Sequence, residues 1–425
     1  MSLQVKLPPE LLDRVIDFLH DDITNLKACS LVSWEWVASS QLHLFRNVQL
    51  RHCTRNDATS STDCHRLYDV LSSSPGLSRC VKYLVAHGGL PIGFFPEPCL
   101  PSLLRVLTSL RSLHILPTPT LATYTVIMND VAVAAISSAV STSLEELRIN
   151  TCMLPYAADV LRILHSCPRL KVLHLSNIRF HFEPTTVAAL FADHKWNTER
   201  KMGGGAILDV ISLDSSIIAE SFLHPLSPID ISSVRELRLK IHPELSITGI
   251  ELIEAASSVE RLEVDLITDR ECFLLFFVSS DTHSPAVKED QLEALSLSNN
   301  PQLRFLILRV PVFLGRFNPL PWMYSLLSTI SPTNTLEELS VDVIIDMPPP
   351  RLTVPVYETS ILGWKHLDSL LVHPQFSALK RVRFDFSLDN TLDDQIVPSI
   401  LDDILLQLSA LGRRGILHVD TCEIR

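Results

Sequence analysis

Residues 169–177 read RLKVLHLSN, with Leu170, Leu173 and Leu175 in the spacing Leu-x-x-Leu-x-Leu and Asn177 following. The last two leucines alternate with Val172, His174 and Ser176, the period of a strand with one buried face. The same formula recurs as Leu110-x-x-Leu113-x-Ile115, Leu144-x-x-Leu147-x-Ile149 and Leu208-x-x-Ile211-x-Leu213. It returns as Val234-x-x-Leu237-x-Leu239, Val259-x-x-Leu262-x-Val264, Leu292-x-x-Leu295-x-Leu297, Leu336-x-x-Leu339-x-Val341 and Leu379-x-x-Val382-x-Phe384. Weaker copies are Val81-x-x-Leu84, Leu303-x-x-Leu306-x-Leu308 and the run Ile416–Val419. Amphipathic helical stretches such as Ala157–Leu170 separate them.

Each unit therefore carries one apolar helix face and one half-buried strand, and neither can be covered alone. Units of roughly 25 to 40 residues that stack on one another solve this by sharing a continuous core. The predicted fold class is α/β: a curved solenoid over residues 46–425, with a parallel inner sheet and outer helices. The array resembles a degenerate leucine-rich repeat. The competing arrangement is a doubly wound α/β domain, which also alternates helix and strand. Insertions are expected at about 181–205, 279–290 and 346–356, the last being the proline-dense DMPPPRLTVPV.

In such strands the residues between the inward pair face outward and are free to meet a partner. They include Glu146/Arg148/Asn150, Val172/His174/Ser176, Glu236/Arg238/Lys240, Arg261/Glu263/Asp265, Ala294/Ser296/Ser298, Glu338/Ser340/Asp342 and Arg381/Arg383/Asp385. The charge changes sign from strand to strand, whereas a nucleic-acid groove would be uniformly basic. Arg148, His174, Arg238, Glu263, Asp342 and Arg383 are the expected target-binding residues, and the expected target is a protein.

Before the array stands Leu7–Phe45, LPPELLDRVIDFLHDDITNLKACSLVSWEWVASSQLHLF, which contains no glycine. Pro8 and Pro9 suit a first helical turn, and Leu11, Leu12, Val15, Ile16 and Leu19 follow at helical spacing. Asp22 or Thr24 can cap a second helix and Ser33 a third. Three short helices cannot hide this much apolar surface among themselves. The order Leu7-Pro8-x-Glu10-Leu11-Leu12, Val15-Ile16, Leu19, Leu26-x-x-Cys29-Ser30-Leu31-Val32-Ser33 and Trp36 resembles an F-box of the kind common in fungi. Val15 stands where isoleucine is usual, and Trp34 where a basic residue is common.

The resemblance makes residues 1–45 an F-box and implies docking on the Skp adaptor and, through it, a cullin. Leu7, Pro8, Leu11, Leu12, Ile16, Leu19, Leu26, Leu31, Val32 and Trp36 would form that interface, while Leu42, Leu44 and Phe45 would cover the open end of the array. The implied role is the non-catalytic, substrate-recognition subunit of a ubiquitin ligase, with no cofactor. The alternative is a protein-binding scaffold in which these helices only cap the solenoid.

Composition narrows the other classes. The chain has 425 residues, 46% of them hydrophobic, with a formal net charge of −12. Affinity for phosphate backbones and anionic membranes rests on clustered Lys and Arg, so the acidic balance argues against both. The longest apolar run, Cys272–Val278, is far below the roughly 18 residues of a membrane span. The start, MSLQVKLPPE, lacks the apolar core of a secretory signal. Nine cysteines and no Asn-x-Ser/Thr sequon predict an intracellular, reducing compartment, cytoplasmic or nuclear. His52-Cys53 with Cys64-His65 lacks zinc-ligand spacing. Asp393-Asp394 and Asp402-Asp403 diverge on a helix and predict a solvated face. No catalytic motif emerges.

Overall fold

The computed structural model describes residues 8–50, 63–88, 99–117, 126–128, 130–139, 142–182, 191, 206–241, 246–266, 295–313, 320–346, 363–388 and 396–423. The chain forms two compact units, Met1–Ile207 and Leu208–Arg425. The first contains β1 (Asn47–Leu50), β2 (Tyr83–Gly88), β3 (Ser112–Pro117), β4 (Val126–Ile127), β5 (Glu146–Tyr156) and β6 (Val172–Phe182). These pair in the order β1-β2-β3-β5-β6, with β4 against β5, all parallel. The second contains β7 (Val210–Leu213), β8 (Glu236–Lys240), β9 (Arg261–Asp265), β10 (Phe305–Phe313), β11 (Glu338–Asp346), β12 (Arg381–Leu388) and β13 (Leu417–Glu423). Its seven strands pair in sequence order, again all parallel.

That order decides the architecture. A doubly wound sheet reverses direction at a switch point, whereas here the strands are laid side by side in sequence order within each unit, the two-residue β4 alone lying off that path. Both units are thus solenoid-like α/β stacks. The predicted inward residues, from Leu84 and Leu113/Ile115 through Leu173/Leu175 in the first unit and Leu237/Leu239 through Val382/Phe384 in the second, are buried. So are the leading residues Leu110, Leu144, Leu170, Leu208, Val234, Val259, Leu303, Leu336 and Leu379. An isolated strand would leave this surface wet; stacking removes it, at about 25 cal/mol per Å² of apolar area.

Just before the strands of the second unit, backbone N–H groups of Arg235, Glu260, Arg304, Glu337 and Lys380 each donate to the preceding repeat's carbonyl, at Asp209, Arg235, Glu260, Arg304 and Glu337 respectively. The six side chains of this strand-start row alternate in sign. Arg304 and Lys380 both pair with Glu337, at 2.7 Å each. Alternation of this kind favours one register over its neighbours.

Three helices precede β1: α1 (Pro9–Asp17), α2 (Ile23–Val32) and α3 (Trp34–Arg46). Pro8 occupies the N-cap of α1. Asp22 caps α2 by accepting from Asn25 N at 3.0 Å, and Ser33 caps α3 by accepting from Glu35 N at 3.3 Å. Ile16, Leu26 and Cys29 form a small buried core, with Leu19, Trp36 and Leu44 packed around it. Asp13 bonds the Ser39 hydroxyl, and Asp17 Oδ1 meets His43 Nε2 at 2.8 Å, fixing which face of α1 turns towards α3.

Two expectations are corrected. Leu44 packs into the three-helix core rather than over the array, and Leu42 is exposed. Leu295–Leu297 is not a strand: the segment is coil leading to a turn, and β9 pairs directly with β10. Leu295 and Leu297 are nevertheless buried, which explains their spacing. The Asn300 side chain then ties this segment to the preceding helix, donating to the Ile253 and Ala256 carbonyls at 3.0 and 2.9 Å.

Candidate functional site

The three-helix segment divides its apolar residues between two roles. Leu12, Ile16 and Leu26 are buried and hold the helices together, while Leu19 and Trp36 are half-buried against them. Pro8, Leu11, Leu31 and Val32 are exposed, and Leu7 lies outside the described residues. Four apolar residues outside the expected interface join the exposed set: Val15, Phe18, Ile23 and Trp34. Leu11, Val15 and Phe18 follow one another at helical spacing and make an outer strip of α1. Leu31, Val32 and Trp34 crowd the corner where α2 gives way to α3. Exposures of 87% for Phe18, 87% for Leu31 and 91% for Trp34 mean that these side chains contribute almost nothing to the fold of the chain alone.

The second surface is the outward side of the strands. In the first unit, His114, Arg148 and His174 stand at one register on β3, β5 and β6. In the second unit, one row runs Ser212, Arg238, Glu263, Ile307, Ser340, Arg383 and His418. The next row runs Lys240, Asp265, Arg309, Asp342, Asp385 and Asp420. The six expected target-binding residues thus fall on outward rows. The residue missed is Arg309, because the misplaced strand put Ser296 and Ser298 where Ile307 and Arg309 belong. The weaker formula Leu303-x-x-Leu306-x-Leu308 was its only signal.

Arg309 is the hub of the second row. Its Nη1 lies 2.8 Å from Glu263 and 4.0 Å from Asp265, and its Nε donates to Asp342 at 3.0 Å. Arg238 joins Glu236 to Glu263 on the neighbouring row, the latter at 3.5 Å. Arg383 bridges Asp385 at 2.8 Å and Asp420 at 3.4 Å. Burial pushes the Asp265 carboxyl up to about 6, against the opposing pull of Lys240 and Arg309.

A polar cluster in the first unit tests for catalysis. Ser112 Oγ lies 3.0 Å from His114 Nε2 and donates to Glu146 Oε2 at 2.9 Å, while Arg148 Nε donates to Glu146 Oε1 at 2.5 Å. Glu146 Oε1 also faces His114 Nε2, at 3.3 Å. A Ser-His-acid relay needs the acid on the other ring nitrogen; here serine and glutamate meet the same one. Burial, with help from Arg148, lowers the His114 pKa against the pull of Glu146. Burial acts to raise the Glu146 carboxyl, yet hydrogen bonds from Arg148 and Ser112 outweigh it and hold it below its ordinary value. The cluster is a polar tie across β3 and β5.

Among the described residues no helix is long and apolar enough to cross a membrane. No protein-family model matches the chain, and no curated protein matches it.

Proposed function

We propose that the chain is the substrate-recognition subunit of a Skp–cullin–F-box ubiquitin ligase. In this reading α1–α3 dock on the Skp adaptor and the outward strand rows hold a target protein. The single observation that carries it is the outward display of Phe18, Leu31 and Trp34 on helices whose small core is already complete without them. Chains that act alone seldom leave large apolar groups clustered in water. The resemblance of Leu7–Trp36 to an F-box is what favours the Skp adaptor as the partner.

Catalysis would then be by proximity. A target held on the rows is presented to the conjugating enzyme at high effective concentration, with no bond-making residue from this chain. Leu11, Leu31, Val32 and Trp34 would touch the adaptor, with Leu12, Ile16 and Leu26 holding them in place from within. The test is co-purification of the full chain with the Skp adaptor. Leu31→Asp is expected to abolish it, and retention of the adaptor after removal of residues 1–45 refutes the proposal.

A second reading has its own observation. Helix α3 runs straight into β1, Arg46 O accepts from Lys82 N at 3.0 Å, and the Arg46 guanidinium lies 5.8 Å from the Tyr83 ring. These contacts support a cap on the first repeats, as in a scaffold that recruits no ligase. Capture of the full chain with the proteasome blocked separates the two: ubiquitinated species on the repeat region belong to the first reading alone.

A further inference from the structure

The last strand of the second unit is an open edge. Among the described residues β13 pairs on one side only, with β12. Ile416 O accepts from Val382 N at 2.8 Å, so the backbone groups of Ile416, His418, Asp420 and Cys422 face β12. Those of Leu417, Val419 and Thr421 therefore point away from the sheet. The side chains report the same boundary. Leu339, Val341, Val382 and Phe384 are 0% exposed on the two preceding strands, whereas Leu417 and Val419, in register with Val382 and Phe384, are only half-buried. Leu405 and Leu406, on the helix Ile396–Gln407 that precedes β13, are exposed as well.

Sheets that must stay alone blunt such an edge with proline, lysine, a bulge or a very short strand. β13 runs for seven residues, Leu417–Glu423, pairs with β12 without a bulge, and carries neither proline nor lysine. Its sequence is instead self-complementary. Consider two copies meeting antiparallel about a two-fold axis at Val419. Backbone hydrogen bonds would then join Val419 to its own counterpart and Leu417 to Thr421, all residues whose N–H and C=O already face outward. The positions between them are the non-hydrogen-bonded ones, where opposite side chains come closest, about 4.5 Å between Cα atoms. There His418, exposed in the single chain, stands opposite Asp420 of the second copy, and the reverse. An imidazole facing a carboxylate is a favourable cross-strand pair. Asp420 Oδ2 already meets Arg383 at 3.4 Å, and at 65% exposure the Asp420 side chain has room for a second donor. Moving the axis by one residue sets Asp420 against Asp420 or His418 against His418, so the charges select one register.

We infer that β13 is a homodimer interface: a second copy of this chain adds its own β13 to the open edge, antiparallel, with His418 of each copy against Asp420 of the other. The second units of the two copies then share one sheet, with their outward rows on the same side. A partner held on those rows would meet two equivalent surfaces, which raises avidity without any new contact. The inference does not rest on the docking of α1–α3.

The test is sedimentation velocity of the full chain over a dilution series, and a monomer–dimer equilibrium is expected. Thr421→Pro removes an outward-facing N–H that no bond to β12 uses, at the kind of edge position where proline is tolerated. The variant should fold and dimerise at least about tenfold more weakly. His418→Asp, which sets aspartates face to face, should do the same. His418→Asp with Asp420→Lys reverses the pair and should restore the dimer to within about threefold. Thermal melts confirm the folding of each variant, and His418→Asp serves if Thr421→Pro does not fold. A chain that stays monomeric throughout overturns the inference, because the edge would then be open to no second copy. So do species larger than a dimer, which mark head-to-tail addition, a dimer unmoved by Thr421→Pro, and a reversed pair that fails to restore association. Trp34→Ala should leave the dimer intact. Its loss there would place the contact on α3 and overturn the inference, whereas a dimer retained without adaptor binding leaves it standing.

Discussion

Substitutions at Trp34 and Ile16 should separate docking from folding within a stretch of nineteen residues. Trp34 is 91% exposed, so Trp34→Ala removes almost no contact that the fold uses, and unfolding free energy should stay within about 0.5 kcal/mol of the parent. On a docked surface a tryptophan of this kind is an anchor, and truncating an anchor costs about 2 kcal/mol or more. At about 1.4 kcal/mol per factor of ten, that is a loss of roughly 30-fold in adaptor affinity. Ile16 reverses the pattern. At 1% exposure it is the centre of the three-helix core, and Ile16→Ala should cost about 2–5 kcal/mol of local stability. Its effect on binding would then follow from loss of the helices themselves. Trp36, half-buried against the same core, should fall between, with Trp36→Ala costing about 2–3 kcal/mol. The assay is isothermal titration of each variant with purified Skp adaptor, alongside urea unfolding. Parental affinity for Trp34→Ala, or a stability loss above about 1 kcal/mol, would refute the division of roles argued from exposure.

Three further predictions concern the repeats. Asp265 has its folded pKa raised to about 6, above the ordinary value of about 3.9, so the folded chain keeps a proton that the unfolded chain releases. Its contribution is therefore present below about pH 4 and lost as pH rises towards about 6. Asp265→Asn should be more stable than the parent at pH 7, on the order of 3 kcal/mol, with the gain vanishing below about pH 4. Denaturant titrations at both pH values check this, and an equal gain at both would contradict it. Asp368 is buried and accepts from Ala410 N at 3.0 Å and Leu411 N at 2.8 Å, holding the first turn of helix Ser409–Arg414. Asp368→Ala should cost about 1–3 kcal/mol in urea unfolding, and a neutral result would count against that cap. At Gly363 an added Cβ would lie 2.6 Å from Leu320 Cβ, an atom fixed close to its backbone. Gly363→Ala should lower stability by about 1–3 kcal/mol in thermal melts, the clash adding to alanine's poorer fit at the N-cap of helix Trp364–Leu371 that this residue occupies.

The repeat was legible because parallel strands covered on their inner side force an apolar residue at every second position, and a leading apolar residue three before. Helix starts were legible at Asp22 and Ser33 for an equally local reason, an oxygen one turn from free N–H groups. The formula could not separate Leu295–Leu297 from Leu306–Leu308, because a buried coil and a buried strand place the same demand on side chains. Only the pairing of β9 with β10 distinguishes them, and with it Arg309 moves onto the charged row. Asn177 shows a similar limit. It follows the leucines as an asparagine after a strand would, yet β6 runs on to Phe182. Asn177 and Thr151, in register on adjacent strands, both take positive φ, 53° and 51°. Two strands bend together there, which no single strand's spacing reports.

The N-terminal helices were legible in amount and illegible in direction. Leu11, Leu12, Val15, Ile16, Phe18 and Leu19 wrap most of the circumference of α1 and the turn after it, so apolar spacing alone cannot say which half faces in. Polar residues on the same helix decide it: Asp13 and Asp17 reach Ser39 and His43 on α3, turning Leu12 and Ile16 inward and Leu11, Val15 and Phe18 out. If Asp13→Ala with Asp17→Ala lets α1 rotate, Phe18 loses its exposure while the core keeps an apolar residue at each contact. Adaptor affinity should then fall several-fold with unfolding free energy changed by only about 1–2 kcal/mol, as expected for losing two exposed hydrogen bonds. A chain whose stability falls while its adaptor affinity is unmoved would mean that the outward strip of α1 takes no part in docking.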